Sequence, residues 1–255
     1  MNDVSTALSY TVKLAETEAE TAAAHRLRYD VFVEELGGKG ALVDHAARAE
    51  RDRFDPFVDQ MIVCNNITGQ VIGVYRLLRQ EQAEAAGQFY SASEYDLSAL
   101  THSGRRVLEL GRSCLHRDHR GGAAMFHLWQ GLSRYIAQHQ IEILFGVASF
   151  HGTDVAQLAE PLSLLHHRHL APQDLRVRAI GAGRHDMDQL PEAQIDRRAA
   201  MVAVPPLIKA YLRLGGFVGE GAYIDRSFNT TDVCLVLDTA RINPRQARLY
   251  QGTQP

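Results

Sequence analysis

Residues 109–129 read ELGRSCLHRDHRGGAAMFHLW, and this stretch decides how the chain is interpreted. It begins as a strand, passes through a basic turn that contains Gly121 and Gly122, and continues as an apolar helix. Glycines let a backbone approach a ligand closely, and the first N–H groups of a helix favour a negatively charged group. The stretch therefore predicts a phosphate site, and a plain loop with solvated arginines is the open alternative.

The candidate phosphate ligands are basic side chains near the turn and the backbone of the turn itself. They are Arg117, Arg120, Gly121, Gly122 and Ala123. Between residues 105 and 120 the chain has five arginines against two acids, although its formal net charge is -3. A chain of this charge is not expected to bind nucleic acid. We therefore expect a local basic surface for a phosphate-bearing partner.

Composition predicts one soluble globular domain. The chain has 255 residues, of which 45% are hydrophobic and 22% charged, and it shows neither an internal repeat nor a low-complexity linker. We expect a single domain over residues 1–255, with peripheral tails at 1–8 and 243–255. The three cysteines are far apart in sequence, which favours reduced thiols in a cytosolic protein.

The predicted location is cytoplasmic. No window reaches the roughly 18 to 20 apolar residues of a transmembrane helix. The first 20 residues are polar and acidic, unlike a secretory signal. If the protein acts on lipids, we expect peripheral contact with the inner face of the membrane.

The order of predicted elements indicates a mixed α/β sheet flanked by helices. Apolar residues recur at helical spacing from Glu16 to Leu36, and Gly37 and Gly38 end that helix. Two strands follow, with a turn at 65–69 between them. Strands and helices then alternate, with LRVRAI at 175–180 as one of the strands, and the chain ends with a pair of strands.

The strand, turn and helix around Gly121 resemble the acyl-CoA-binding motif of the GNAT superfamily of N-acyltransferases. That motif begins with Arg or Gln, followed by two unspecified residues, Gly, any residue, and Gly or Ala. Here the first position is His119 or Asp118, depending on the alignment. The resemblance is therefore to an atypical branch of the superfamily, and it implies a twisted, mostly antiparallel sheet in a single domain.

Other segments resemble acyl-homoserine-lactone synthases. The matching segments are RYDVFVEELG at 28–37, DRFDPF at 52–57, VIGVYRL around Arg76, and ELGRS, which holds Glu109 and Arg112. Where those synthases have a tryptophan that helps hold S-adenosylmethionine, this chain has Gly38. That difference argues against S-adenosylmethionine as the substrate.

Over residues 24–240 the chain resembles the ornithine lipid synthase acyltransferases. The shared segments include ELGRSCLHRDHRGG, LFGVASFHGTD, LLHHRHLAP and PPLIKAYLRLGGFVGEGAYIDRSFNTTDVCLV. The resemblance implies a 3-hydroxyacyl donor carried on the phosphopantetheine thioester of acyl carrier protein, L-ornithine as acceptor and lyso-ornithine lipid as product. No separate cofactor is expected. The alternatives are another acceptor (glycine, glutamine or lysine), a homoserine-lactone synthase-like enzyme, or a module that binds acyl carrier protein without turnover.

N-acylation needs a neutral amine, so a base must accept a proton from the acceptor. Glu109 is the candidate base, and Arg112 joins it as the second candidate catalytic residue. The alternative for Glu109 is a buried carboxylate paired with Arg76 or Arg112. No Gly-x-Ser-x-Gly motif and no activated cysteine is present, so we expect direct transfer without an acyl-enzyme.

Candidate acceptor-binding residues lie in the N-terminal third. Asp52 and Asp55 suit cationic groups, with capping of the next element as the alternative. Arg28 and Arg76 suit an α-carboxylate, because a guanidinium binds it bidentately. Phe32 is a further candidate for acceptor binding, and the alternative role for this residue is packing in the core.

The run HHRH at 166–169 invites a metal interpretation. Adjacent imidazoles on a helix are expected to point in different directions, and no cluster of cysteines or carboxylates accompanies them in the sequence. We therefore expect no metal.

Overall fold

The computed structural model describes residues 9–121 and 123–242. Within this range the residues form two compact units. The first unit comprises residues 9–86 and 110–140, and the second comprises 87–109 and 141–242. The prediction of a single domain stays a prediction, and the predicted tails at 1–8 and 243–255 lie outside the described residues.

The strands of the described residues are numbered in chain order. They are β1 (Tyr10–Leu14), β2 (Asp59–Asn65), β3 (Val71–Arg79), β4 (Tyr95–Asp96), β5 (Val107–Leu115), β6 (Ile143–His151), β7 (Arg178–Ala179), β8 (Arg184–His185), β9 (Phe217–Val218), β10 (Ala222–Asp225) and β11 (Thr230–Asp238). Strand β5 contributes its first three residues to the second unit and the remainder to the first.

The α-helices of the described residues are numbered in the same way. They are α1 (Glu18–Arg28), α2 (Gln80–Ala85), α3 (Ser98–Thr101), α4 (Ala123–His139), α5 (Ala159–His169), α6 (Arg197–Ala203) and α7 (Pro206–Leu214). A π-helical segment, Tyr29–Glu35, follows α1 directly, and a 3-10 turn, Tyr90–Ser93, precedes β4.

In the first unit an antiparallel sheet supports one long helix. Strands β1, β2 and β3 pair in sequence, and β3 neighbours the later part of β5. Helix α4 packs across β1, β2 and β3. The approach is closest at Gly131, where an added Cβ would lie 2.6 Å from Val12 Cγ2 and 2.9 Å from Met61 Sδ.

We expect Gly131→Ala to destabilise the protein by about 1–3 kcal/mol, because overpacking outweighs the helix propensity of alanine. Urea unfolding measures this difference. Gln138→Ala places an alanine on an exposed position of the same helix and should change stability by less than about 0.5 kcal/mol. Equal stability of Gly131→Ala and the wild type would show that α4 does not pack this closely.

The predicted helix over residues 16–36 is confirmed in its first part and differs in its second. A capping box at Thr17 starts α1, since its hydroxyl accepts from the Glu20 N–H at 3.2 Å. Beyond Arg28 the hydrogen bonds become π-helical, and Leu36 N–H donates to the Val31 carbonyl at 3.2 Å. Apolar spacing alone does not separate the two helix types, and π-helical turns are frequent at functional sites.

In the second unit β5 pairs parallel with β6, from Val107 opposite Ile143 to Glu109 opposite Phe145. Strand β11 pairs antiparallel with β6, β9 and β10, and β8 adds to β10. A separate antiparallel pair joins β4 to β7. Helix α5 packs against α6 and β9, and α7 packs against β11.

The predicted fold class is confirmed: the chain has a mixed, mostly antiparallel GNAT-like sheet flanked by helices. Two details differ from the prediction. Residues 175–180 were expected to be a full strand, but only Arg178–Ala179 pairs within the described residues. Helix α6 was not predicted, because seven residues begin after a polar loop and show little apolar periodicity.

Candidate active site

Six charged side chains come together in the first unit, and we call them the charged cluster. Its members are Arg28, Glu50, Asp52, Asp55, Arg76 and Arg112. They come from the end of α1, the loop before β2, and strands β3 and β5. Three arginines face three carboxylates, so the formal charges balance.

Arg28 lies at the centre of the charged cluster and is 0% exposed. Its Nε donates to Glu50 Oε2 at 2.5 Å. Its Nη1 and Nη2 donate to the two carboxylate oxygens of Asp55 at 2.5 and 3.1 Å. This bidentate geometry is the strongest form of a guanidinium–carboxylate pair.

Arg112 links the other half of the cluster. Its Nε donates to Glu50 Oε1 at 3.1 Å and its Nη2 to Asp52 Oδ2 at 3.1 Å. Arg76 also donates to Asp52 Oδ2. Glu50 therefore connects Arg28 to Arg112, and Asp52 connects Arg112 to Arg76.

The arginines keep the carboxylates of the charged cluster ionised. Burial alone would raise the pKa of Glu50, but the charges of Arg112 and Arg28 outweigh it and lower that pKa. The pKa of Asp52 is lowered in the same way, because Arg76 and Arg112 outweigh its burial. For Asp55, the nearby His25 ring and the charge of Arg28 outweigh burial and lower the pKa. The cluster is thus a set of ion pairs at neutral pH.

The backbone of Arg112 is unusual because its φ angle is +50° within a strand. A non-glycine residue in this left-handed region costs about 1–3 kcal/mol and persists where its surroundings over-determine it. The ion pairs to Glu50 and Asp52 supply that restraint. Arg112 is therefore held at a strained point of β5, three residues after Glu109.

We expect Arg112→Gly to be more stable than Arg112→Ala by about 1 kcal/mol, because both lose the guanidinium but only glycine accepts the left-handed backbone without strain. Urea unfolding of the two variants at pH 7 measures the difference. If Arg112→Ala proves equally stable, residue 112 is not held in that conformation in solution.

The predicted acceptor-binding roles of the cluster residues stay predictions. Arg28 directs its guanidinium to Glu50 and Asp55. Asp52 keeps 18% of its side chain exposed, more than any other carboxylate of the cluster. The capping alternative is also realised, since Asp52 Oδ1 accepts from the Phe54 N–H at 2.9 Å. Asp52 is therefore the cluster carboxylate that solvent, and so a ligand, reaches most readily.

Phe32 lies in the π-helical segment and packs against a hydrophobic core that includes Leu27, Ile62 and Val74. Core packing was the alternative role considered for Phe32 in the sequence analysis. The substrate-binding role of Phe32 stays a prediction. The sequence interpretation missed Glu50, His25 and Gln60. Gln60 Nε2 donates to Asp55 Oδ1 at 2.8 Å, and His25 Nε2 lies 3.6 Å from the same atom.

Gly38 lines an open cavity of about 380 Å³ in the first unit. The other lining residues are Val33, Gly37, Lys39, Gly40, Val43 and His45. Its volume lies in the range of about 300–1,000 Å³ that is usual for small-molecule sites. The cavity thus lies where this chain has Gly38 and the acyl-homoserine-lactone synthases have a tryptophan.

Glu109 lies in the second unit, and only 3% of the residue is exposed. Its Oε2 accepts from the Tyr90 N–H at 2.7 Å, and its Oε1 accepts from the N–H of Ser91 at 2.7 Å and from the Ser91 hydroxyl. Beside it, the rings of Phe89 and Phe145 meet edge to face with centroids 5.0 Å apart. The carboxylate therefore anchors the 3-10 turn, and its predicted role as a base stays a prediction.

The predicted donor-binding residues that the structure describes belong to the first unit. Arg117 is exposed, whereas Arg120 donates to the Leu115 carbonyl at 3.1 Å and to Glu35 at 2.8 Å. Gly121 has a φ of +75°, and Ala123 is the first residue of α4. Gly122 lies outside the described residues.

The arginine count between residues 105 and 120 overstates the free positive charge. Arg105 pairs with Asp238 at 2.6 Å, Arg112 belongs to the charged cluster, and Arg120 pairs with Glu35. Side-chain pairing over long sequence separations is not visible in a local count. Arg117 is the exposed arginine of the predicted donor set that no described ion pair engages.

The cysteine thiols are poor nucleophiles. Cys64, Cys114 and Cys234 are free, and the last two are buried. Burial raises the pKa of Cys114 to about 12 and also raises the pKa of Cys234. The geometry is thus consistent with transfer that does not pass through a cysteine.

Comparison with known proteins shows the family of the chain. Residues 27–130 match the family described as "Acetyltransferase (GNAT) domain". The L-ornithine N(alpha)-acyltransferase of Rhodobacter capsulatus is 56% identical over 248 residues, which is 95% of this chain and 95% of that protein. The chain belongs to the L-ornithine N(alpha)-acyltransferase family. It is therefore an acyltransferase.

Further comparisons place the family on a known fold. The L-ornithine N(alpha)-acyltransferase of Brucella abortus is 42% identical over 95% of this chain and 89% of its own length. The crystal structure of the AHL synthase LasI covers 96% of this chain and 97% of its own, with a TM-score of 0.51 and 18% identity. At that identity the likeness shows the fold alone. The predicted family resemblance is confirmed.

Proposed function

We propose that this L-ornithine N(alpha)-acyltransferase family member transfers a 3-hydroxyacyl chain from acyl carrier protein to the α-amine of L-ornithine. The product is lyso-ornithine lipid, so the reaction is the first step of ornithine lipid synthesis. The observation that carries the proposal is the 56% identity over 95% of the chain to a protein named for acylation of ornithine at the α-nitrogen.

The proposed step forms a C–N bond and breaks the C–S bond of the thioester. The α-amine must first lose a proton, and its nitrogen then attacks the acyl carbonyl. Glu109 accepts one proton of the α-ammonium, directly or through a water molecule. After the attack the nitrogen loses a second proton, and the phosphopantetheine thiolate takes up a proton as it leaves, so the products are the amide and the free thiol. The Tyr90 and Ser91 donors support this role because they fix the orientation of the carboxylate.

The charged cluster supports acceptor binding. Asp52 is its most exposed carboxylate and is proposed to hold a cationic group of ornithine. Arg28, Phe32, Asp55 and Arg76 are also proposed acceptor-binding residues, and Arg76 pairs directly with Asp52. The cavity beside Gly38 offers space for a small amino acid.

Acyl carrier protein is the proposed donor because the turn at 119–124 departs from the motif that normally holds the pyrophosphate of coenzyme A. Arg117, the Gly121 backbone and the start of α4 at Ala123 are proposed to contact the phosphopantetheine arm. Gly122 and Arg120 are proposed to contact the arm as well, on the basis of the sequence alone.

We propose a cytoplasmic location, with peripheral contact at the inner face of the membrane when the lipid product leaves. Among residues 9–121 and 123–242, the structure contains no helix that is both long and apolar enough to cross a membrane.

A thioester-release assay tests the proposal. Purified protein is incubated with 3-hydroxyacyl-acyl carrier protein or 3-hydroxyacyl-CoA, with and without L-ornithine, and free thiol is measured. We expect release from the carrier-protein donor that depends on ornithine. Faster release with lysine, glutamine or glycine would change the acceptor, faster release from acyl-CoA would change the donor, and no release with any acceptor would indicate a binding module.

A further inference from the structure

Two histidines and one aspartate of the second unit converge in a place that the proposed acyl transfer does not use. His166 and His167 lie in the last turn of α5, and Asp188 lies in the loop after β8. One nitrogen or oxygen atom of each lies within 4.8 Å of the others. The two imidazole rings lie at 88° to each other, and both nevertheless reach Asp188.

The separations suit a tetrahedral metal ion. Asp188 Oδ1 lies 3.2 Å from His167 Nε2, and Asp188 Oδ2 lies 3.8 Å from His166 Nε2. Zinc binds nitrogen and oxygen at about 2.0–2.2 Å, so neighbouring ligands of a tetrahedral ion lie about 3.3–3.6 Å apart. The two separations involve different oxygens of Asp188, and one ligand atom of each residue lies within 4.8 Å of the others, so the side chains must adjust before one oxygen and both nitrogens reach that spacing.

The loop that carries Asp188 is fixed to the helix that carries the histidines. Ser163 of α5 is buried, and its hydroxyl donates to the Met187 carbonyl at 3.0 Å. The same hydroxyl accepts from the N–H groups of Gln189 and Leu190 at 3.1 Å each. Residues on both sides of Asp188 are thus held in place. The loop is therefore already positioned before an ion binds.

Local chemistry also favours a cation. The carbonyl end of a helix attracts positive charge, and His166 and His167 stand at that end of α5. The Leu190 carbonyl oxygen lies 2.9 Å from His167 Nε2 and is a further oxygen donor beside the group. The proton that this nitrogen carries in the metal-free state is the one a metal would displace.

We propose that His166, His167 and Asp188 form a zinc-binding site that ties the last turn of α5 to the loop at 186–190. The ion has three protein ligands, and a water molecule or the Leu190 carbonyl completes a tetrahedral set. Its role is structural. Within the described residues His166 Nδ1 is buried and makes no hydrogen bond, so this ring lacks the outer partner that strengthens metal binding.

Titration of the full-length, chelator-treated protein with Zn²⁺ by calorimetry tests the site, and Co²⁺ reports tetrahedral geometry through its visible absorption. We expect one ion per chain. Removing an outer partner weakens metal binding by about 10–100-fold, so loss of a ligand in His166→Gln, His167→Gln or Asp188→Asn should weaken it by at least about 100-fold.

His151→Gln is the matched control, because His151 is an exposed histidine of the same unit outside the group. It should bind zinc as the wild type does. Asp188 is half exposed, so Asp188→Asn is the variant least expected to disturb folding, and circular dichroism checks each variant. Zinc binding that is absent in the wild type, or equal in the wild type and Asp188→Asn, would overturn the proposal.

Discussion

Replacing Glu109 with glutamine is expected to lower kcat by roughly 10²-fold or more, because the amide keeps the shape of the side chain but does not accept a proton. In the wild type both carboxylate oxygens accept hydrogen bonds from the turn at Tyr90 and Ser91. A carboxamide offers one acceptor oxygen, so its NH₂ group would face one of those donors. The rate is measured by ornithine-dependent thiol release under saturating donor.

Ser91→Ala separates the chemical role of Glu109 from its anchoring role. It removes the hydroxyl donor to Oε1 and leaves the two backbone donors in place. We expect a loss of less than about tenfold, since the carboxylate remains. A folded Glu109→Gln variant with near-normal kcat, or a Ser91→Ala variant with an equal loss, would assign the base elsewhere or to water.

Replacing Arg28 with methionine is expected to destabilise the protein by about 3–5 kcal/mol, the usual cost of breaking a buried ion pair from one side. Arg28 is fully buried, and its loss leaves Glu50 and Asp55 without a cationic partner on that side. Urea unfolding at pH 7 measures the change in the free energy of unfolding.

Arg48→Met is the matched control in the same unit. Arg48 pairs with Asp30 and Glu34, but 38% of its side chain is exposed. Exposed pairs contribute about 0–1 kcal/mol, so we expect a small change. Equal destabilisation by the two variants would contradict a buried, energetically important cluster.

The effect of Arg28 should depend on pH with a definite sign. The folded pKa values of Glu50, Asp52 and Asp55 are lowered, so their pairing stabilises the protein above the unfolded pKa values of about 4 and is lost as pH falls below them. In Arg28→Met the carboxylates take up protons at higher pH, which relieves their burial. The stability deficit of the variant should therefore be larger at pH 7 than at pH 4.

Local patterns predicted the elements that position the candidate site. An apolar run with a turn at 65–69 gave the β2–β3 pair, and Gly-Gly followed by apolar residues gave α4. The family resemblance named five of the six cluster residues. These predictions succeeded because they rest on neighbouring residues or on long matched segments.

The rest depends on contacts that a single sequence does not display. Glu50 meets Arg28 across 22 positions and Arg112 across 62, so no short pattern links them. The π-helical segment shares the apolar spacing of an α-helix over seven residues. Asp188 lies 21 and 22 positions from its two histidines, beyond the range of helix periodicity.

Product analysis with isotope-labelled acceptor tests the central claim most directly. The protein is incubated with 3-hydroxyacyl-acyl carrier protein and L-ornithine labelled with ¹⁵N at the α-position, and tandem mass spectrometry locates the acyl group. The account predicts an amide on the labelled α-nitrogen. An acyl group on the δ-nitrogen, or free fatty acid in place of an amide, would contradict it.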